Sequence, residues 1–240
     1  MRRFYAKPES FNEGLIELDP VQSNHLRTVL RLREGDEIAV FDGAGGEFLC
    51  CIQEIKRGKQ SSVLKILRKT APPAPESDLQ LTLATALLKS DKFDLVVQKA
   101  VELGVTKLVP IATHRSDLKP KMFDRRTERF ERIVIESSKQ CGRATLMEIS
   151  EPFEFGVFIK NAEGEKLLFS EIGGKAFSAL QKEKKITALV GPEGGWETSE
   201  IESAKLNGFQ IITLRGRILR AETAAIAISA IIQHNFGDLN

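Results

Sequence analysis

The residues with the clearest chemical potential are Gly191-Pro192-Glu193-Gly194-Gly195-Trp196, which follow the apolar run Ala188-Leu189-Val190 and precede Thr198-Ser199-Glu200-Ile201. An apolar strand, a glycine-rich loop and a helix start form the layout that receives a ligand at the carboxyl end of a parallel strand. Glu193 lies inside the loop, where its carboxylate would repel a phosphate. The loop therefore suits a ligand that lacks phosphates and carries positive charge. S-adenosylmethionine, with an adenine, a ribose and a sulfonium, answers that description, although the same glycines would also serve a tight turn that binds nothing. A second candidate is Leu214-Arg215-Gly216-Arg217-Ile218-Leu219-Arg220-Ala221-Glu222-Thr223, again between an apolar run and a helix. Glu222 or Thr223 could simply cap that helix. Three arginines in six residues exceed what a cap requires and suit recognition of a phosphate or a uracil carbonyl.

Other chemistries find no support. Asp42-Gly43-Ala44-Gly45-Gly46 imitates a dinucleotide fingerprint, but it lies between two strands and opens no helix, so it reads as a hairpin turn. No phosphate-binding GxxxxGK[ST] motif occurs. Cys50, Cys51 and Cys141 form no CxxC pair, and His25, His114 and His234 are widely separated, so neither a disulfide framework nor a metal site is expected. No stretch reaches about eighteen consecutive apolar residues, which excludes a transmembrane helix. The start, Met1-Arg2-Arg3-Phe4-Tyr5, has no apolar segment behind its charges, so no signal peptide is expected and the cytoplasm is the expected location. With 35 Lys plus Arg against 33 Asp plus Glu, the net charge of +2 excludes a uniformly basic nucleic-acid binder but permits a local basic patch.

Strands and helices must hold the two loops in place. The 240 residues suffice for one large domain or two small ones. Residues 35–41 and 48–53 predict a hairpin, and Ser62-Val63-Leu64-Lys65-Ile66-Leu67 a further strand after a turn at residues 57–59. Asp19 as cap and Pro20 in the first turn predict a short helix to about Leu30. Several short strands with one helix suggest a small barrel. Residues 71–78 hold three of the nine prolines and read as a stiff linker, dividing the chain into residues 1–70, 71–78 and 79–240. Beyond it, strands are expected at 79–88, 107–112, 167–170, 187–190 and 210–214. Helices are expected at 91–103 (stopped by Gly104), 124–140, 176–181, 199–206 and 223–235. That alternation is the pattern of an α/β domain with a mostly parallel sheet.

The two loops also carry a likeness. Gly191-Pro192-Glu193-Gly194-Gly195 followed by Ile218-Leu219-Arg220-Ala221-Glu222-Thr223-Ala224 resembles the bacterial 16S ribosomal RNA (uracil-N3)-methyltransferase family, of the SPOUT superfamily, whose target is uridine 1498. The likeness runs through Arg2-Arg3-Phe4-Tyr5, His25-Leu26-Arg27-Thr28-Val29-Leu30-Arg31, Lys89-Ser90-Asp91-Lys92-Phe93-Asp94 and Lys99-Ala100-Val101-Glu102-Leu103-Gly104-Val105, and on to residues 136–143. One departure is that Leu214 is followed by Arg215-Gly216, placing the glycine one position later than the family's usual pattern.

The resemblance implies a PUA-like barrel at the N-terminus, a trefoil-knotted α/β domain at the C-terminus, and a homodimer. Pattern reading alone predicts no knot, because true knots are rare. It further implies methyl transfer from S-adenosylmethionine to uridine N3 in 16S rRNA or the small ribosomal subunit, with no metal and no membrane. The implied cofactor residues are Leu168, Ser170, Glu171, Gly191, Pro192, Glu193, Gly194, Gly195, Leu214, Gly216, Ile218, Leu219 and Thr223. Arg220 is the candidate to stabilise the uracil anion, and Glu222 the candidate base or orienter, unless it only caps the helix. Between residues 115 and 143, nine basic residues face five acidic ones. This stretch is either a solvated helix face or an RNA surface. The resemblance favours the latter, with Arg115, Lys119, Arg125 and Arg143 joined by Arg2, Arg3, Arg27, Arg31 and Arg33. The alternatives are an enzyme of this type acting on another RNA nucleotide, and a non-catalytic RNA-binding assembly factor.

Overall fold

Alternating burial builds the N-terminal sheet. The protein is described here by a computed structural model covering residues 1–56, 61–116, 126–177 and 183–239. Strands β1 (Arg3–Tyr5), β2 (Phe11–Asn12) and β3 (Leu15–Leu18) precede a short helix, α1 (Pro20–Asn24), and strands β4 (Glu37–Phe41), β5 (Glu47–Glu54) and β6 (Ser62–Thr70) follow it. In β3, Ile16 and Leu18 point inward while Leu15 and Glu17 point out, the period-two signature of a half-buried strand. The strand order is β1-β4-β5-β6-β3-β2, antiparallel except for the β1–β4 pair. Register shifts after Leu49 and Ile52 in β5 help the sheet to curl, and Phe4, Ile16, Leu18, Leu26, Ile38, Val40 and Leu64 share its core. Cys50 lies in that core, and burial pushes its thiol up to about 12, so it stays protonated. Asp19 caps α1 by accepting from the Gln22 amide at 2.7 Å, with Pro20 in the first turn. The α-helix ends at Asn24, and a π-helical turn, His25–Val29, carries the chain on. The turn expected at residues 57–59 lies outside the described residues.

The second region alternates strand and helix: β7 (Gln80–Ala86), α2 (Ser90–Glu102), β8 (Lys107–Ala112), α3 (Thr127–Cys141), β9 (Glu148–Ile149), β10 (Phe153–Glu154), α4 (Phe155–Asn161), β11 (Glu165–Phe169), β12 (Lys185–Val190), α5 (Thr198–Leu206), β13 (Gln210–Ile212) and α6 (Ala221–Phe236). All pairings are parallel, in the order β10-β8-β7-β12-β11-β13, with β9 also on β8. Strand β12 is buried from Ile186 to Val190, as expected where helices cover both faces of a parallel sheet. Gly104 ends α2 with φ +69°, and the Gln233 side chain donates to its carbonyl at 2.9 Å. The helix expected at 176–181 falls largely on residues outside the described set.

The chain divides into two compact units, Met1–Glu76 with Ile135–Leu146, and Ser77–Val134 with Met147–Asn240. Helix α3 therefore begins in one unit and ends in the other. Within the first unit, Arg3 donates to the carbonyls of Ser138 (2.6 Å), Lys139 (3.1 Å) and Arg143 (3.0 Å), at the end of α3 and just beyond it. The proline-rich segment is tied down there too, by the Ala74 amide on Gly142 O (3.2 Å) and by the Arg143–Glu76 ion pair (2.7 Å).

Candidate active site

Because β12, β11 and β13 are neighbours and run parallel, the loops that leave them emerge at one edge of the sheet. The loop after β11 is laced to β13: the Ser170 amide donates to Ile212 O (2.9 Å), the Thr213 amide to Lys175 O (3.0 Å), and the Gly174 amide to Thr213 Oγ1 (3.0 Å). A Cβ on Gly174 would come within 2.6 Å of the Ile212 carbonyl carbon, so only glycine allows this approach.

The loop after β12 is built around Trp196. Its indole Nε1 donates to Phe169 O at 2.9 Å, its ring lies 5.5 Å from that of Phe155, and a Cβ on Gly191 would stand 2.9 Å from its Cε2. Arg115 holds the loop from the end of β8, with Nη1 on Gly194 O (2.8 Å) and Nε on Glu197 Oε1 (2.7 Å). Glu200 accepts from the amides of Glu197 (2.9 Å) and His114 (3.0 Å), which fixes the start of α5. In the loop after β13, Arg215, Gly216, Arg217 and Ile218 are exposed and Leu214 and Leu219 half-buried. The glycine displaced by one position adopts φ +118°, a conformation closed to other residues.

Charge gathers where these loops meet the first turn of α2. Lys92 Nζ donates to Glu193 Oε1 at 2.8 Å and stands 3.7 Å from Glu222 Oε2. The hydrogen bond to Glu193 raises the Lys92 pKa, and the charges of Glu193 and Glu222 add to the effect. Glu193 therefore has a cation of its own. The oxygen left open is that of Glu222, whose buried Oε2 has no hydrogen-bond partner. Arg220, at the N-cap of α6, is exposed, as is Thr223.

Several sequence expectations land differently. Leu168 is fully buried in the sheet core, so its side chain supports the loop from beneath and offers no exposed surface to a ligand. Arg3 and Arg143 are not surface cations. Their side chains are 9% and 5% exposed and paired with Glu47 and Glu76, because an unpaired guanidinium could not be buried there. Arg115 braces the glycine-rich loop. Arg2, Arg31 and Arg33 are exposed, and Arg27 is half-buried, donating to Lys56 O at 3.1 Å. Lys119 and Arg125 lie outside the described residues. Among those residues no cluster of His, Cys, Asp and Glu could hold a metal ion. Lys92 is the site residue that spacing did not single out, and Trp196, although it ends the glycine-rich motif, has no role assigned from sequence. The only signal for Lys92 is its place in the Lys89–Asp94 motif, next to the end of β7.

A family model described as an RNA methyltransferase domain matches residues 75–233, and one described as an RNA methyltransferase PUA domain matches residues 18–67. Ribosomal RNA small subunit methyltransferase E of Synechocystis is 34% identical over 230 residues, which covers 92% of this chain and 74% of that protein. The chain belongs to the ribosomal RNA small subunit methyltransferase E family. The Rickettsia conorii member is 33% identical, with 95% of this chain and 93% of that protein covered. A family structure from Neisseria gonorrhoeae, described as bound to S-adenosyl methionine, superposes with a TM-score of 0.91 at 32% identity, and the match covers 100% of both chains. The methyltransferase E family thus accounts for both regions of the fold: the curled PUA-like sheet and the SPOUT-type parallel domain.

Proposed function

We propose that this protein transfers a methyl group from S-adenosylmethionine to N3 of a uridine in 16S ribosomal RNA, the position being uridine 1498. The observation that carries the reading is the meeting of the glycine-rich loop with a buried, hydrogen-bond-free carboxylate oxygen of Glu222, beside Lys92 and Arg220, at the carboxyl edge of the parallel sheet. The residues present fit the cofactor. The backbone at Gly195 and Gly216 has open space around it, which lets a ligand approach the two loops closely. Gly191, Pro192, Glu193, Gly194 and Gly195 would hold it, together with Ser170, Glu171, Leu214, Gly216, Ile218, Leu219 and Thr223. When bound, it supplies an electrophilic methyl group on a sulfonium, and this needs no metal.

The target nitrogen carries a proton that must leave before or during transfer. Arg220 favours the resulting uracil anion by about 1.4–4 kcal/mol, the effect of a cation beside a developing negative charge. Glu222 Oε2 takes or orients the N3 proton. Positioning of the two reactants supplies much of the remaining acceleration. The PUA-like unit, with Arg2, Arg31 and Arg33 exposed, binds the RNA backbone. The reading includes a knotted catalytic domain, action in the cytoplasm, and a homodimer. Helix α6 leaves Ile226, Ala227, Ala230 and Ile231 half-buried on one face, and a second copy would cover it.

S-adenosylmethionine is expected to raise the melting temperature by mass action and to change Trp196 emission, while ATP does neither. Purified protein should then methylate unmodified 16S rRNA or small subunits at one uridine, read by mass mapping. Failure to bind the cofactor in calorimetry would turn the reading toward a non-catalytic RNA-binding factor, and methylation at another nucleotide would reassign the target. Light scattering that gave a monomer at micromolar concentration would remove the dimer.

A further inference from the structure

Glu222 is 8% exposed in the first turn of α6, and its Oε2 makes no hydrogen bond. A buried carboxylate oxygen in that state is costly unless a cation stands by. Lys92 is that cation, at 3.7 Å, reaching across from α2. Its ammonium has three donors, and Glu193 takes one of them at 2.8 Å. Both members of the Lys92–Glu193 pair are about a third exposed (28% and 34%), so the pair adds little stability; what it fixes is where the ammonium stands.

We propose that Lys92 is a positioning residue of this site: anchored by Glu193, its ammonium balances the buried carboxylate of Glu222 and holds the free oxygen Oε2 as an acceptor for the substrate base. The use of that acceptor rests on the functional reading above; the charge coupling between Lys92 and Glu222 does not. The Glu193 bond raises the Lys92 pKa, against the opposing effects of partial desolvation and of the like charge on Arg220. The competing possibility is a loop tie. If Lys92 merely tethered the glycine-rich loop, its loss would weaken cofactor binding and leave the turnover rate alone.

The test uses the full chain and the variants Lys92→Met, Lys92→Arg, Glu222→Gln and Lys92→Met/Glu222→Gln. Lys92→Met should lower the melting temperature by roughly 2–4 °C, and adding Glu222→Gln should recover most of that loss, because the uncompensated charge is then gone. It should lower kcat on 16S rRNA by about 100-fold, with the S-adenosylmethionine Kd nearly unchanged in calorimetry. Lys92→Arg should retain part of the rate. In the Glu222→Gln background, Lys92→Met should cost no further rate. Additive melting losses would overturn the proposal, as would a weakened cofactor Kd at unchanged kcat. A wild-type protein that binds cofactor but methylates no 16S rRNA would overturn the functional reading instead, and the melting data would still decide the Lys92–Glu222 coupling.

Discussion

Arg220 is the residue on which the proposed chemistry depends most. It is exposed at the N-cap of α6, close enough to Lys92 to repel it, where a guanidinium can meet a uracil carbonyl. Arg220→Ala is expected to lower the methylation rate about 100- to 1000-fold with cofactor affinity retained, the usual cost of removing one preorganised donor to a developing anion. Raising the pH should restore part of the rate, since uracil N3 then ionises unaided. Arg220→Lys should recover only a fraction, because a point charge cannot reproduce a planar fork. Rate measurements across pH decide it: a poorly folded variant, or one that pH does not rescue, would make Arg220 a loop anchor. Gly191→Ala tests the floor of the site. Its Cβ would press on Trp196, which is held by Phe155 and by Phe169 O, so a loss of about 1–3 kcal/mol and an altered tryptophan emission are expected in thermal and fluorescence scans. The glycine-rich loop was legible because its residues are consecutive. Lys92 was not, because its partner lies 101 residues away and only the strand order brings them together. Arg3 and Arg143 read as surface cations for a related reason: a count of charges does not reveal which of them are drawn inward to a waiting carboxylate.

Long elements were legible because their period repeats. Strands β7, β8 and β12 and helices α2, α5 and α6 appear within a few residues of their expected bounds. Strands β2, β9 and β10 are two residues each and exist only through their neighbours, so no local pattern marks them. Helix α4 has seven residues, too few for a period to show, yet Phe155, Phe158 and Ile159 bury one face of it. Nor did the sequence reveal that β12 inserts between β7 and β11, since burial makes all three read alike. Two contacts at element ends can be tested. Arg3 bonds Glu47 at 2.7 Å with both side chains buried, and it also bonds carbonyls at the end of α3. Arg3→Ala should therefore cost about 3–5 kcal/mol in denaturant unfolding, as is usual when one partner of a buried pair is removed. Gly104→Ala forces a side chain into φ +69° and brings its Cβ to 2.7 Å from Gln233 Nε2. A loss of more than about 1 kcal/mol is expected, and unchanged stability would mean that α2 and α6 can shift apart.

For the molecule as a whole, nothing local in the sequence marks the return of Ile135–Leu146 to the first unit. That return depends on partners far away in sequence, among them Arg3, Glu76 and the Gly43–Thr145 bridge. A fragment of residues 79–240 would keep the parallel sheet but strip residues 135–146 of these partners, leaving Ser137, Ser138 and Arg143 to meet water. It is expected to melt earlier than the full chain and to aggregate, as seen by circular dichroism and light scattering, even where it still binds cofactor. A fragment as stable as the full chain would mean that the return segment contributes little.

The same return bears on how the chain folds while it is being made. The last piece of the first unit is translated roughly 70 residues after Glu76, which at 5–20 residues per second is a wait of about 4–14 s. During that interval Arg3 and Glu47 have each other but not the end of α3, and Glu76 has no Arg143. All six strands of the N-terminal sheet have emerged by Thr70, but the unit around it cannot be completed before Leu146 emerges, by which time β7 and β8 are already available to pair. A pause in translation or a truncation between residues 76 and 146 would therefore leave a fully paired sheet without the end of α3, with Arg3 and Glu76 short of their partners, an incomplete unit open to association with other nascent chains.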